Sequence, residues 1–552
     1  MQALAGCAIF VAMKRKAFAG VFLQGWLLLL AAAIPGPSMA QLFQHGVASG
    51  DPVQHGFIIW TRLSPPGQQP LRVDYYVAED SSFGRIVRHG QVLTSPGEDF
   101  TVKADISGLK PDTYYFYRFV VGDETSAIGR SRTLPAGSPA HLRLAIMSCS
   151  NYEDGYFHAY RHVAHQKDLN AIVHLGDYIY ESYYTIKRKT RDHLPARELF
   201  ELEDYRQRYA QYRLDTNLQE AHRLHPFITV WDDHEASNNA NHYGSISNDS
   251  TQHNWHRRVQ AAKRAYFEWM PIRHLPGDKI YREISFGKLA DLFMLDTRLE
   301  GRDRQIYDAT DARLAAPSRS MLGTAQRQWL LSGLKQSTAR WKLIGNQVLF
   351  SPLYGKHIHS RVEDRLLDIW DGYPAERLLI TRFLRQQQIP NVVFLTGDFH
   401  TSLVFEVPVD DWNYPLTPGG CDYNPQTGEN AVAVEFVTPS ITSQNFDEFA
   451  LYLLPFRPFG HIVARYIEKR FRKPSKRDKS MPGNRRMINP HLKWVNLRAH
   501  GYVLLQLSPQ RLLADYYLFK RPWKEQARLR LSRRFEVRDG QARVFPLPQA
   551  GE

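Results

Sequence analysis

The sequence is poor in cysteine, since 552 residues contain only Cys7, Cys149 and Cys421. Three thiols so far apart exclude a small disulfide-stapled secreted module. Sustained hydrophobicity is also lacking: the mean hydropathy is −0.43, which excludes a polytopic membrane protein. What the chain does contain is 43% hydrophobic and 12% aromatic residues, enough apolar surface for a large folded core.

Several catalytic motifs are missing as well. A cysteine-nucleophile phosphatase needs an arginine shortly after its cysteine to clamp phosphate, and the residue in that position after Cys149 is Gly155. No Gly-x-Ser-x-Gly elbow adjoins the predicted strands. The sequence also has no Gly-rich loop ending in Lys-Ser/Thr and no His-Glu-x-x-His zinc helix. These absences argue against a serine hydrolase, a nucleotide-binding P-loop and a zinc protease.

The first 40 residues have the three-part layout of a secretory signal. Lys14, Arg15 and Lys16 precede an apolar run over 18–34, and small residues then predict cleavage after Ala40. The alternative is a single anchoring helix; after cleavage no stable membrane span is expected. The protein is therefore predicted to be exported to the periplasm, the medium or the cell surface. The basic cluster has no Arg-Arg pair, so the twin-arginine route has no direct support.

The formal net charge of +14 comes largely from one segment. Residues 465–486 hold ten Lys and Arg against Glu468 and Asp478. Such a run is either a solvated insertion or an electrostatic collar that draws anionic substrates toward a nearby cleft.

Two hydrophobic patterns divide the exported chain. Over 41–135, short β-like runs broken by Pro and Gly predict a fibronectin-like β-sandwich, and the stretch LKPDTYYFY from Leu109 resembles its tyrosine corner. No function is expected in this domain. After a linker at 130–138, apolar runs alternate with amphipathic stretches over 140–519, which predicts a layered α/β domain. A basic extension over 520–552 follows, with a predicted helix between Arg521 and Arg538.

Polar clusters follow four of the predicted buried strands. They are MSCS at 147–150, GDYIYE at 176–181, WDDHE at 231–235 and GDFH at 397–400. In open α/β folds ligands bind at the carboxyl ends of strands, so these clusters are expected to converge on one site. Carboxylates and imidazoles hold cations, and a thiolate with a phenolate suits iron. A single Gly-Asp loop or a buried cysteine has a structural explanation by itself. Four clusters at strand ends together predict a metal site.

The order of these blocks resembles the PhoD-like alkaline phosphatase D family. The resemblance runs from about Phe43 to Phe519 and rests on eight ordered blocks: SC (148–149), GDYIYE (176–181), WDDHE (231–235), LDTR (295–298), WDGYPA (370–375), TGDFH (396–400), SITS (440–443) and HGY (500–502). It implies a calcineurin-like metallophosphatase core, a layered α/β fold, behind the N-terminal β-sandwich. It also implies Fe(III) and Ca(II) as cofactors. The basic segment 465–486 has no counterpart in this pattern.

The resemblance also implies roles for individual residues. Cys149 and Tyr180 look like iron ligands, and Asp177 looks like the carboxylate that bridges the metals. The remaining implied ligands are Asp233, Asp398 and His400, although either carboxylate of Asp232–Asp233 fits the pattern. His234 is similar to the residue that faces phosphate and donates a proton to the leaving oxygen.

The expected activity is hydrolysis of phosphate esters by metal-activated hydroxide, without a covalent phosphoenzyme. Its substrates are monoesters, diesters or both, and nucleic acid enters only as a substrate. A cell-envelope diesterase and a nuclease of the same fold are the alternatives within this class. A metal-stabilised binding protein without catalysis is the alternative from another class.

Overall fold

The computed structural model describes residues 42–182, 189–246, 252–353, 367–409, 423–448, 457–472 and 489–548. The predicted signal at 1–40, Cys421 and most of the basic segment 465–486 lie outside these ranges. Within them, no helix combines the length and the apolar character needed to cross a bilayer.

The largest sheet among the described residues has ten strands. In spatial order its strands are β22 (Val544–Leu547), β21 (Arg530–Arg538), β20 (Arg511–Phe519), β19 (His500–Leu507), β9 (Leu142–Met147), β10 (Ala171–His174), β11 (Phe227–Thr229), β1 (Val47–Val53), β2 (Gly56–Arg62) and β5 (Thr101–Ile106). β9, β10 and β11 run parallel, with Ala171 opposite Leu144 and Ile172 opposite Phe227. Their carboxyl ends therefore meet at one edge of the sheet.

A seven-stranded sheet lies in the second half of the chain. Its order is β12 (Arg282–Phe286), β13 (Ala290–Met294), β14 (Trp341–Asn346), β15 (Val392–Thr396), β17 (Ala431–Val437), β16 (Ser402–Pro408) and β18 (Leu492–Asn496). β13, β14, β15 and β17 are parallel. Every residue of β13, β14 and β15 is buried, as expected for strands that are covered on both faces.

The two large sheets share a hydrophobic core, because one buried cluster contains residues from both, among them Leu144 and Ile172 from one and Leu343 and Val434 from the other. The first helices, α1 (His158–Ala164), α2 (Leu202–Arg213), α3 (Thr216–Leu224) and α4 (Gln252–Trp269), contribute to this cluster. A second cluster joins the seven-stranded sheet to α5 (Gly323–Gln336), α6 (Pro374–Gln386) and α7 (Arg457–Arg472). The predicted layered α/β architecture is confirmed, with two sheets between helices.

The N-terminal region is a β-sandwich that shares one sheet with the α/β part. Its own five-stranded sheet contains β3 (Leu71–Ala78), β4 (Ile86–Thr94), β6 (Tyr114–Val121), β7 (Glu124–Thr125) and β8 (Gly129–Arg132). This sheet packs on β1, β2 and β5 of the ten-stranded sheet through a separate buried cluster that includes Phe57, Val77 and Phe119. The Tyr115 hydroxyl accepts a hydrogen bond from the Lys110 backbone N–H at 3.0 Å, which is the contact of a tyrosine corner.

The predicted helix between Arg521 and Arg538 is wrong. Residues Arg530–Arg538 form strand β21, which pairs with β20 so that Phe535 lies opposite Ala514 and Val537 opposite Leu512. Phe535 and Val537 are two residues apart and both buried, which is the spacing of one face of a strand. This alternation is short in the sequence, because only Glu536 separates the two apolar residues and Arg533 and Arg534 precede them.

Candidate active site

The four polar clusters predicted from the sequence meet at the carboxyl ends of the strands. Cys149 follows β9, Asp177 follows β10 and Asp233 follows β11, all from the ten-stranded sheet. Asp398 and His400 follow β15 of the seven-stranded sheet. The site is thus assembled from both sheets, at an edge where the parallel strands of each one end.

Their donor atoms form three overlapping groups, within each of which the atoms lie no more than 4.8 Å apart. The groups are Cys149–Asp177–His400, Asp177–Asp233–His234 and Asp232–Asp233–Asp398. Asp177 joins the first group to the second, and Asp233 joins the second to the third. This chain of shared carboxylates is an arrangement in which one side chain could bridge two cations.

Tyr180 contacts two members of the first group, Asp177 and His400. Its hydroxyl donates to Asp177 Oδ2 at 2.7 Å and lies 3.2 Å from His400 Nε2. The Ser443 hydroxyl donates to the Tyr180 oxygen at 2.6 Å. His400 Nδ1 lies 2.8 Å from the Gln444 carbonyl, so Nδ1 carries the proton and Nε2 is left as a lone-pair donor.

Both members of the Asp232–Asp233 pair reach the site, but they differ in their partners. Asp232 Oδ1 accepts from Arg298 Nε at 2.5 Å, whereas Asp233 Oδ2 accepts from the Asn239 backbone at 2.7 Å. Only Asp233 shares a group with Asp177 and His234. The geometry therefore favours Asp233 as the carboxylate nearer the predicted bridge.

Four of the seven predicted site residues have left-handed backbone conformations. The φ angles are 62° at Cys149, 56° at Asp177, 56° at Asp398 and 57° at His400. Such angles are uncommon outside glycine and cost about 1–2 kcal/mol each. Backbone strain of this kind clusters at functional sites, where the surrounding structure imposes it.

Gly176 allows two of the loops to approach each other. Its φ is +104°, and a Cβ added there would lie 2.5 Å from the backbone nitrogen of Asp232. A side chain at this position would push the loop after β10 away from the loop after β11.

Arg298 is fully buried among the site carboxylates. Its guanidinium donates to Asp232 Oδ1 at 2.5 Å, to Asp368 Oδ2 at 2.7 Å and to Asp398 Oδ1 at 2.9 Å, and it lies 3.6 Å from Asp233 Oδ2. The sequence placed Arg298 in a family block without a role. Because its partners lie far away along the chain, no local pattern could have revealed this contact.

Two glutamates that sequence reasoning also left without a role hold the site together. Glu235 accepts from the backbone N–H groups of Asp177 at 3.0 Å, Tyr178 at 2.5 Å and Asp232 at 2.8 Å, so it connects the two loops. Glu181 Oε2 lies 2.6 Å from His234 Nδ1. Both glutamates end polar clusters of the sequence, WDDHE and GDYIYE, and their burial, at 2% and 1% exposure, is the signal that only the fold supplies.

The site carries more negative charge than its arginine can balance. Burial raises the pKa of Asp398 to about 7, and the neighbouring Asp233 charge adds to this against the opposing effect of Arg298. Asp177, Asp232 and Asp233 each keep one buried carboxylate oxygen without a hydrogen-bond partner in the described residues. Unpaired buried carboxylate oxygens are costly unless a cation meets them. Together with a thiol, a phenol and an imidazole, these oxygens are a donor set that fits metal ions.

Comparison with known proteins decides the family. A family model described as PhoD-like phosphatase matches residues 144–516. The chain belongs to the PhoD-like phosphatase family. The N-terminal domain model of the same family matches residues 30–135. Alkaline phosphatase D of Bacillus subtilis (strain 168) is 36% identical over 431 residues, which are 73% of this chain and 69% of that protein.

A solved structure of PhoD superposes on this PhoD-like phosphatase with a TM-score of 0.78 at 31% identity, and the match covers 93% of each chain. The protein is therefore a phosphoester hydrolase of the alkaline phosphatase D type, as the sequence predicted. The alternative of a binding protein without catalysis is set aside by this membership.

Proposed function

We propose that this PhoD-like phosphatase hydrolyses phosphate esters with a cation centre held by Cys149, Asp177, Tyr180, Asp233, Asp398 and His400. The cations proposed are Fe(III), for the thiol and phenol, and Ca(II), for the carboxylates. The observation that carries the proposal is the pair of unpaired buried oxygens on the proposed ligands Asp177 and Asp233, with a third on the neighbouring Asp232. When bound, such cations supply Lewis acidity toward phosphoryl oxygens and acidify water.

His234 is proposed as the residue that hands a proton to the leaving oxygen. A ring nitrogen of His234 lies within 4.8 Å of donor atoms of Asp177 and Asp233. Nδ1 is bonded to Glu181, so Nε2 is the nitrogen left to face substrate. Burial alone would lower the pKa of His234, but the carboxylates of Glu181, Asp233 and Asp177 together outweigh it and raise that pKa well above its usual value. A protonated imidazole fixed in this way suits general-acid catalysis.

The first experiment tests the bridging role of Asp177. We expect Asp177→Asn to lose bound metal by elemental analysis and to lose turnover of 4-nitrophenyl phosphate. His234→Asn should keep the metal and lose turnover by about 10²- to 10⁴-fold. If Asp177→Asn kept wild-type metal content and turnover, the bridging assignment would be wrong.

The second experiment tests Tyr180 as an iron ligand. A phenolate bound to Fe(III) gives a visible charge-transfer band, so the iron-loaded protein should be coloured and Tyr180→Phe should lose the band. An unchanged band in Tyr180→Phe would remove Tyr180 from the ligand set. Initial rates on matched mono- and diesters, including single-stranded DNA, distinguish a phosphomonoesterase from a diesterase or a nuclease.

Export is proposed from the signal-like residues 1–40 alone. N-terminal sequencing of the mature protein should begin at Gln41. Recovery of the intact chain with the membrane fraction would instead support an anchoring helix.

A further inference from the structure

A cleft of about 760 Å³ is lined by two segments that follow strands at the same edge as the carboxylate cluster. They are residues between 303 and 319, after β13, and Tyr243, after β11. Tyr243 and Tyr307 are 40% and 48% exposed, which is high for such large side chains. Both rings line the cleft and offer flat surfaces to a ligand.

Hydrogen bonds link both lining segments to the candidate active site. Tyr243 belongs to the loop that follows Asp233, and within that loop the Asn239 backbone donates to Asp233 Oδ2 at 2.7 Å. In the segment between 303 and 319, the side-chain amide of Gln305, oriented with its nitrogen toward Asp368, donates to Asp368 Oδ1 at 2.6 Å. Asp368 in turn accepts from Arg298, which also bonds to Asp398. Asp368 and Arg298 thus link Gln305 in the cleft to Asp398 through consecutive hydrogen bonds.

Arg319 forms a buried cationic part of the cleft wall, at 8% exposure. Its Nε donates to the Gly372 carbonyl at 2.7 Å, and its guanidinium carbon lies 4.3 Å from the centre of the Tyr373 ring. Among the described residues, its terminal nitrogens meet no acceptor; Nη2 is buried, so Nη1 is the nitrogen that a ligand in the cleft can reach.

A guanidinium nitrogen without an acceptor is unfavourable in a mostly buried side chain, because it has lost water and gained no hydrogen bond in return. Asp303, which also lines the cleft, is engaged by the Ser320 backbone N–H at 2.8 Å. The unfilled donor at Arg319 Nη1 therefore suits an anionic oxygen that arrives with a ligand.

We propose that this cleft binds the organic group of the phosphate ester and selects groups that carry an aromatic ring with an anionic substituent. The proposal rests on the proposed function, since the reaction centre is the adjoining carboxylate cluster. The ring lies against Tyr243 and Tyr307, and the anionic substituent meets Arg319. Arg304, whose guanidinium lies 5.6 Å from the Tyr243 ring centre, helps to hold that ring.

The test compares phenyl phosphate with 4-carboxyphenyl phosphate in the full chain. Arg319→Gln should lower kcat/KM for the carboxylated ester by about 10- to 100-fold, the effect of losing a charged hydrogen bond, and leave the neutral ester within about twofold. Arg313→Gln is the matched control, because Arg313 lines the same cleft but is 80% exposed and bound to Asp311. It should change neither rate. An unchanged carboxylate preference in Arg319→Gln would overturn the proposal.

A second variant covers the case in which Arg319→Gln fails to fold. Tyr307→Ala, at an exposed position, should lower kcat/KM for both aryl esters by about 2- to 10-fold relative to glycerol 2-phosphate. 4-Hydroxybenzoate should compete with substrate in the wild type and less well in Tyr307→Ala. Absence of both effects overturns the proposed cleft ligand. If the metal-loaded wild type hydrolysed none of these esters, the proposed function would be refuted instead.

Discussion

Arg298→Met removes the buried cation that three carboxylates share as a hydrogen-bond donor. The three bonds, at 2.5, 2.7 and 2.9 Å, each involve charged groups, which contribute about 1.5–3 kcal/mol apiece. Part of this loss is offset when the freed carboxylates bind protons. We therefore expect a loss of at least about 4 kcal/mol in the free energy of unfolding, in line with breaking a buried ion pair. Native proteins are stable by only about 5–15 kcal/mol, so the variant should be close to unfolding.

The assay is urea unfolding followed by circular dichroism, first in chelator and then with added CaCl₂. Because a bound cation supplies the charge that Arg298 provided, calcium should stabilise Arg298→Met more than it stabilises the wild type. Arg206→Met is the control: Arg206 bonds twice to Glu268 at 2.7 Å, away from the site, so its loss should not depend on calcium. A wild-type unfolding midpoint for Arg298→Met in chelator would refute the reasoning.

Three further predictions concern other parts of the site and its scaffold. Glu181→Gln removes the carboxylate that orients His234 and helps to raise its pKa. We expect the turnover of esters with poor leaving groups to fall by about 10²-fold. Metal content, measured by elemental analysis, should stay unchanged. Burial lowers the pKa of His174 to about 3, so between pH 6.5 and 3 the unfolded chain binds a proton that the folded chain excludes, and stability falls with acid. At pH 5 this loss is about 2 kcal/mol. Between pH 7.5 and 5, the free energy of unfolding of His174→Gln, measured in urea, should therefore fall by about 2 kcal/mol less than that of the wild type. An equal fall in both proteins would contradict the prediction. Gly176→Ala should separate the loops after β10 and β11 and release metal, whereas Gly244→Ala, with open space around its Cβ, should not.

The fold and the meeting of the four clusters could be predicted because both depend on local patterns. Short apolar runs of strand length, each followed by polar residues, identify buried strands and the edge at which they end. Arg298 could not be predicted, because its hydrogen-bond acceptors lie 66 to 100 residues away. That β1, β2 and β5 continue the ten-stranded sheet could not be predicted for the same reason, because it depends on pairing between Gly50 and the distant Phe227.

The contacts that sequence reasoning missed explain how the strained site residues are held in place. Left-handed conformations at four site residues cost together about 4–8 kcal/mol, which is comparable to the whole stability of a domain. Hydrogen bonds across the site oppose this cost. The Cys149 carbonyl accepts from Ile441 at 3.1 Å, and the Asp177 N–H donates to Glu235 at 3.0 Å. Since Ile441 follows β17 of the seven-stranded sheet and Glu235 follows β11 of the ten-stranded one, the strained residues are fixed only when the segments that follow both sheets are in place. The site therefore depends on the packing of the two sheets, and any substitution that loosens that shared core should weaken cation binding before it unfolds the protein.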